Sequence, residues 1–139
     1  MQLRASVYVT MNVYWFGLAV LWNALHPIVL PAVLLTFVPE QIKNTTLGAL
    51  TFVGLVLAMV VQPIAGAMSD RTSTRWGRRR PWMVGGTLIS IVCLVLMAQA
   101  QTLGALALAY ILLQLASNAA HGPAQGLIPD MVPPTHRGL

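Results

Sequence analysis

Four long uncharged stretches, separated by short polar segments, dominate the pattern of hydrophobic and polar positions. They cover approximately residues 13–38, 47–68, 82–98 and 103–128. Each is long enough for an α-helix to cross about 30 Å of hydrocarbon at about 1.5 Å per residue. The pattern therefore predicts an all-α membrane protein with four transmembrane helices.

Composition agrees with this prediction and argues against a nucleic-acid-binding protein. The chain has 139 residues, of which 57% are hydrophobic and 8% are charged, and its mean hydropathy is +0.73. A soluble domain carries roughly a quarter charged residues. The net charge of +5 comes mainly from one short loop, whereas nucleic-acid binding needs a basic face on a folded domain. Cys93 lies within an apolar stretch and is expected to be a packing residue.

The uneven distribution of charge predicts the orientation in the membrane. The loop 69–81 holds five arginines and Asp70, whereas Glu40 and Lys43 cancel in the segment 39–46. Arg4 precedes the first stretch and Arg137 follows the fourth. Lysine and arginine favour the cytoplasmic side of a membrane. Both ends of the chain and the arginine loop are therefore expected on the cytoplasmic side of a plasma or inner membrane.

Polar side chains recur on one face of the fourth stretch. They are spaced four, three and four residues apart, which places them within ~60° of a helix circumference. These residues are Gln114, Asn118, His121 and Gln125. Polar side chains inside a bilayer usually face a cavity or another helix, so the stripe predicts either a polar cavity or hydrogen bonding between packed helices.

The first stretch repeats this spacing, and the second contributes a single amide. Trp15, Ala19, Trp22 and His26 share one helical face, Asn23 lies beside it, and Gln62 is the interior amide of the second stretch. Tryptophan rings stack on sugars, and amides bond sugar hydroxyls. The candidate substrate-binding residues are therefore Trp22, Asn23, His26, Gln62, Gln114, Asn118, His121 and Gln125.

Other kinds of chemistry have little support in the sequence. His26 and His121 are the only strongly ionisable residues within the four stretches, and each is either a hydrogen-bonded neutral imidazole or part of a proton relay. They are isolated, with no carboxylate or thiol at ligand spacing, so no metal or cofactor is expected. Neither a nucleophile–base pair nor a phosphate-binding loop is present, so the chain is not expected to be an enzyme.

Two motifs resemble a known family. "GAMSDR", residues 66–71, resembles the G-x-x-x-D-R loop signature of the major facilitator superfamily. The longer run from Val61 to Trp82, V-Q-P-I-x-G-x-x-S-D-R-x-x-x-R-x-G-R-R-R-P-W, is similar to sucrose transporters and to glycoside–pentoside–hexuronide:cation symporters. In "SNAAHGPAQGLIPDMVPP", Asn118, Gly122, Pro123 and Asp130 resemble the fourth helix of that group.

The resemblance implies a fold and a gate. That fold has twelve helices in two halves, and the first and fourth helices of each half line a central cavity while the third lies outside. This chain would be the N-terminal third, interrupted after Leu139, and would need the missing C-terminal helices as partners. The resemblance implies a gating loop made of Gly66, Asp70, Arg71, Arg75, Gly77, Arg78, Arg79 and Arg80.

The chain departs from the family at the positions that couple transport to an ion. Ala58 and Gln62 stand where melibiose-type symporters carry sodium-ligating aspartates. Gln114 and Gln125 stand where plant sucrose transporters carry an aspartate and an arginine. A coupling proton, a coupling cation and facilitated diffusion therefore all stay open.

The sequence thus predicts secondary or facilitative transport of a small polar solute, a sugar or glycoside, by alternating access. Two alternatives remain. A small four-helix exporter acting as a dimer has this length but depends on a glutamate in its first helix, which is absent here. A membrane assembly or regulatory subunit that does not transport would use the polar stripes for helix packing alone.

Overall fold

Four membrane-length helices make up the described part of the chain. The computed structural model describes the backbone of residues 5–131 and the side chains of Val9 and of residues 12–127. Within these residues, the helices long and apolar enough to cross a membrane cover Asn12–Leu34, Glu40–Arg71, Arg80–Ala98 and Leu103–Leu127. The predicted all-α class with four transmembrane helices is confirmed.

The first span consists of three consecutive helical segments. Helix α1 (Ala5–Ala24) leads into a π-helical turn (Leu25–Val29), and α2 (Leu30–Leu34) follows. A π turn closes a wider hydrogen-bonded ring than an α turn. The turn in this chain contains Pro27, which lacks the N–H that an α-helical hydrogen bond requires. Helix α2 ends at Leu34, before the predicted boundary at 38, and the chain continues in turns whose amides bond back to the Val33 and Leu34 oxygens.

The second span is longer than its apolar stretch. Helix α3 (Glu40–Arg71) begins before the predicted residue 47 and ends after the predicted residue 68. Glu40 lies in its first turn and Arg71 in its last turn, and both charges complement the partial charges of the helix ends. Most of the predicted 39–46 connection is therefore helical.

Helices α4 (Arg80–Ala98) and α5 (Leu103–Met131) complete the chain. Pro81 occupies the first turn of α4, where its missing N–H has no intrahelical partner to lose. The arginine loop, expected at 69–81, is accordingly shortened to residues 72–79. Thr102 caps α5, since its Oγ1 accepts a hydrogen bond from the Ala105 amide at 3.1 Å.

The chain forms two compact units, residues 1–48 and 49–139. In the second unit, α4 packs along α5. The α4 face with the lowest exposure contains Gly86, Ser90, Cys93 and Met97. Gly86 lies so close to Ala116 and Ala120 of α5 that a Cβ would meet the Ala116 carbonyl oxygen at 2.6 Å. Cys93 is 3% exposed, which confirms its expected role as a packing residue.

Candidate functional site

A chain of side-chain hydrogen bonds joins α3 to α5 within the second unit. Gln62 of α3 donates from Nε2 to Asn118 Oδ1 at 2.6 Å. Asn118 Nδ2 donates to the main-chain oxygen of Gln114 at 2.7 Å and to Gln114 Oε1 at 3.0 Å. Gln114 Nε2 donates to the Tyr110 hydroxyl oxygen at 2.7 Å. We refer to Gln62, Asn118, Gln114 and Tyr110 as the amide chain.

Two glycines allow the helices to approach closely enough for these bonds. A Cβ at Gly122 of α5 would overlap the main-chain oxygen of Gln62, and a Cβ at Gly54 of α3 would overlap Gln114 Nε2. The Tyr110 hydroxyl would also lie 2.7 Å from a Cβ at Gly54. Small residues let helix backbones approach in membranes, and amides hydrogen-bond across the contact. The amide chain therefore has the geometry of an interhelical contact.

The predicted stripe on α5 divides between different environments. Gln114 and Asn118 are each 5% exposed, His121 is half-buried and Gln125 is exposed. Leu112, which lies off the stripe, is 40% exposed. The structure therefore brings Gln62, Gln114 and Asn118 together against one another and leaves Gln125 separate from them.

The first unit contains an aromatic pair at the end of α1. The rings of Trp22 and His26 are stacked, with centroids 5.1 Å apart and planes inclined by 20°. His26 belongs to the π-helical turn. Asn23 is exposed and donates from Nδ2 to the Ala19 main-chain oxygen at 2.8 Å. One turn of helix thus presents two adjacent ring systems and an amide.

Arg79 differs from the other arginines of the loop in its contacts and its burial. Its Nη2 lies 2.8 Å from Asp70 Oδ1 at the end of α3. Its Nη1 donates to the main-chain oxygen of Pro123 in α5 at 3.4 Å, and a Cβ at Gly126 would overlap this guanidinium. The Arg79 side chain is 13% exposed and that of Asp70 is 52% exposed. The arginine therefore joins α3 and α5 immediately before α4 begins.

The remaining residues of the predicted gating loop are distributed around this contact. Arg71, Arg75, Arg78 and Arg80 are exposed. Gly77 adopts a φ of 96°, which glycine tolerates without the steric penalty of a Cβ. Its amide donates to the Thr74 main-chain oxygen at 3.0 Å. Gly66 faces α5, where its Cβ position lies 4.0 Å from the Gly122 oxygen.

Sequence reasoning missed Tyr110, Gly54 and Gly126. Tyr110 lies four residues before Gln114 and so extends the stripe by one turn, a signal available in the sequence. The two glycines gave no signal, because their role depends on which side chain of another helix lies opposite.

No metal centre is visible in this part of the chain. Among the described residues there is no group of three or more histidine, cysteine, aspartate or glutamate side chains placed to hold a metal ion. Asp130, which belongs to the second sequence motif, lies outside the described side chains.

Comparison with known proteins places the chain in a family. The family model described as "MFS/sugar transport protein" matches residues 9–133. An uncharacterized symporter of Synechocystis is 46% identical over 41 residues, covering 30% of this chain and 8% of that protein. A lactose permease of Leuconostoc lactis is 35% identical over 60 residues, covering 41% of this chain and 9% of that protein.

A sucrose transport protein of Oryza sativa is 28% identical over 100 residues, covering 56% of this chain and 19% of that protein. The chain thus spans less than a fifth of the length of these relatives. No solved structure matches it significantly. The family consists of transporters, which agrees with the prediction that the chain is not an enzyme. With four membrane-length helices and a family match over most of its length, the chain is an integral membrane protein that belongs to the MFS/sugar transport protein family.

Proposed function

We propose that the chain supplies the first four helices of a twelve-helix transporter that moves a sugar or glycoside across the membrane by alternating access. The observation that carries this proposal is the family match over residues 9–133. The names of two similar proteins, a lactose permease and a sucrose transport protein, support a sugar as the solute. The relatives' greater length supports further helices as partners.

The aromatic pair and the exposed amides are the proposed solute contacts. Sugar C–H groups stack on aromatic faces, and their hydroxyls bond amides. Trp22 and His26 offer stacked rings, while Asn23 and Gln125 are exposed amides. In this conformation the amides of Gln62, Gln114 and Asn118 are already hydrogen-bonded in sequence through Asn118. We therefore propose that these three residues mainly shape the site.

The Asp70–Arg79 contact is the proposed gate element. It ties the end of α3 to Pro123 of α5, and such a contact stabilises one conformation over another only if it breaks in the second. The exposed arginines of the loop supply the positive charge that favours the cytoplasmic side. We therefore propose that this loop and both ends of the chain are cytoplasmic.

Uptake by the full-length protein in proteoliposomes tests the proposal. We expect uptake of at least one labelled mono- or disaccharide, and competition by the unlabelled sugar. Trp22→Leu should reduce uptake roughly two- to tenfold, because it removes the stacking ring and a stacking contact is worth about 0.5–1.5 kcal/mol beyond its buried area. Trp76→Leu, an exposed tryptophan of the loop, is the matched control.

Two results would contradict this function. One is correctly inserted protein that takes up no sugar under a proton gradient, a sodium gradient or counterflow conditions. The other is recovery of the protein only as a fixed subunit of a larger assembly, which would favour a structural role for the polar contacts.

A further inference from the structure

One main-chain oxygen sets the direction of the hydrogen bonds between α3 and α5. A carbonyl oxygen can only accept, and Asn118 approaches that of Gln114 with Nδ2 at 2.7 Å. The other end of the Asn118 amide, Oδ1, then accepts from Gln62 at 2.6 Å. Gln62 must therefore present its NH₂ group on this side.

The same NH₂ group faces His121. Gln62 Nε2 lies 3.5 Å from His121 Nδ1, and an amide nitrogen has two hydrogens, one for Asn118 and one for the ring. A ring nitrogen that faces an N–H must offer a lone pair. Because neutral imidazole carries a single N–H, a hydrogen bond from Gln62 to Nδ1 would place the proton of His121 on Nε2.

We propose that Gln62 and Asn118 are positioning residues that hold His121 as the neutral Nε2–H tautomer. In that tautomer the N–H of His121 is on Nε2, which is a buried atom in this conformation. This inference deepens the proposed solute site, to which His121 belongs as a candidate. Asn118 acts on the histidine through Gln62.

Reversing this arrangement requires several amides to turn together. Rotating Gln62 would place its Oε1 against Asn118 Oδ1, and rotating Asn118 would place Oδ1 against both oxygens of Gln114. A doubly protonated His121 would place an N–H against the Gln62 NH₂ group. A doubly protonated ring therefore cannot accept a hydrogen bond from Gln62.

Few titratable side chains lie on the described parts of the helices of the second unit. Helix α3 has no titratable side chain between Lys43 and Asp70. The buried face of α4 contributes Cys93, and α5 contributes Tyr110 at the far end of the amide chain. Arg79 contacts Pro123, and Asp70 is its ion-pair partner.

Nuclear magnetic resonance of the full-length protein in lipid nanodiscs tests the proposal. The sample carries ¹⁵N-labelled histidine and glutamine at pH 8, and the His121 signal is assigned by its loss in His121→Asn. We expect the Nε2–H tautomer and a through-space correlation between the Gln62 NH₂ hydrogens and His121 Nδ1. Gln62→Glu, which has nearly the same shape but presents an acceptor, should shift the ring to Nδ1–H or to the doubly protonated form.

Asn118→Leu tests the positioning role, because it should abolish the Gln62–His121 correlation while both residues remain. Gln101→Leu makes a comparable apolar replacement at an exposed amide between α4 and α5 and should leave the correlation intact. The proposal is overturned by an Nδ1–H tautomer in the wild type, by an unchanged tautomer in Gln62→Glu, or by a correlation that survives in Asn118→Leu. The magnetic resonance samples contain no solute, so these results do not depend on whether the protein takes up sugar.

Discussion

At the scale of single residues, the arginine loop contains side chains of unequal importance. Arg79 is largely buried and contacts both Asp70 and the Pro123 oxygen, whereas Arg75 is exposed. A hydrogen bond to a charged group contributes about 1.5–3 kcal/mol. An exposed ion pair contributes ~0–1 kcal/mol. Energy and specificity therefore concentrate in one arginine, although the sequence presents five with similar chemistry.

This difference predicts the order of three substitutions in the full-length transporter. Arg79→Gln should slow uptake most, by roughly tenfold or more, since it removes about 1.5–3 kcal/mol of charged hydrogen bonding. Asp70→Asn should have an intermediate effect, because the carboxylate is half exposed but its loss leaves Arg79 without its counter-charge. Arg75→Gln should have the smallest effect. Initial uptake rates, normalised to the amount of inserted protein, provide the measurement, and equal effects of all three would contradict a specific Asp70–Arg79 contact.

At the scale of helices, α5 is the element against which the second unit packs. In its most apolar 18-residue stretch, half of the residues are buried, whereas the buried share of the corresponding stretch is 22% in α4 and 6% in α3. Its small residues and those opposite allow close approach, as Gly122 does beside the Gln62 main chain. Gly104 lies in the same helix but has nothing within 4 Å of its Cβ position.

The two glycines of α5 provide a matched pair of substitutions. Gly122→Ala should destabilise the protein by about 1–3 kcal/mol, because the added methyl group meets rigid backbone in a packed contact. Gly104→Ala should be neutral or stabilising by up to ~1 kcal/mol, since alanine favours helix over glycine. The temperature at which monodisperse protein is lost in detergent gives the comparison. Equal melting temperatures for the two variants would show that α3 and α5 do not approach as closely as described.

At the scale of the whole molecule, the four spans determine which connections share a side of the membrane. The loop 72–79 follows the second span and the connection around Gln101 follows the third. One helix, α4, separates them. Because α4 crosses the bilayer once, these two connections must lie on opposite sides.

Single cysteines report this topology in intact cells. In a Cys93→Ser background, Gln101→Cys should react with a membrane-impermeant thiol reagent added outside. Arg75→Cys should react only after permeabilisation, because the arginine loop is expected to be cytoplasmic. Labelling of the Arg75→Cys variant from outside would reverse the proposed orientation, and equal labelling of both variants would exclude a crossing by α4.

The sequence alone determined the four spans, since twenty or so consecutive apolar residues have no stable alternative to a helix in hydrocarbon. It also identified the family, because the loop motif from Val61 to Trp82 is long and specific. The spacing of Gln114, Asn118, His121 and Gln125 placed them on one face correctly, because helical geometry is local. Only the tertiary structure decided that Gln114 and Asn118 turn towards Gln62 while Gln125 is exposed.

The same limit applies to Arg79, Tyr110 and Gly54. Periodicity within a helix defines an angle around its own axis and carries no information about which helix lies opposite. Burial of Arg79 depends on a gap at Gly126, and the space for the Tyr110 hydroxyl depends on the missing side chain at Gly54. These contacts join residues more than forty positions apart in the chain, so packing between helices, rather than local sequence, selects them.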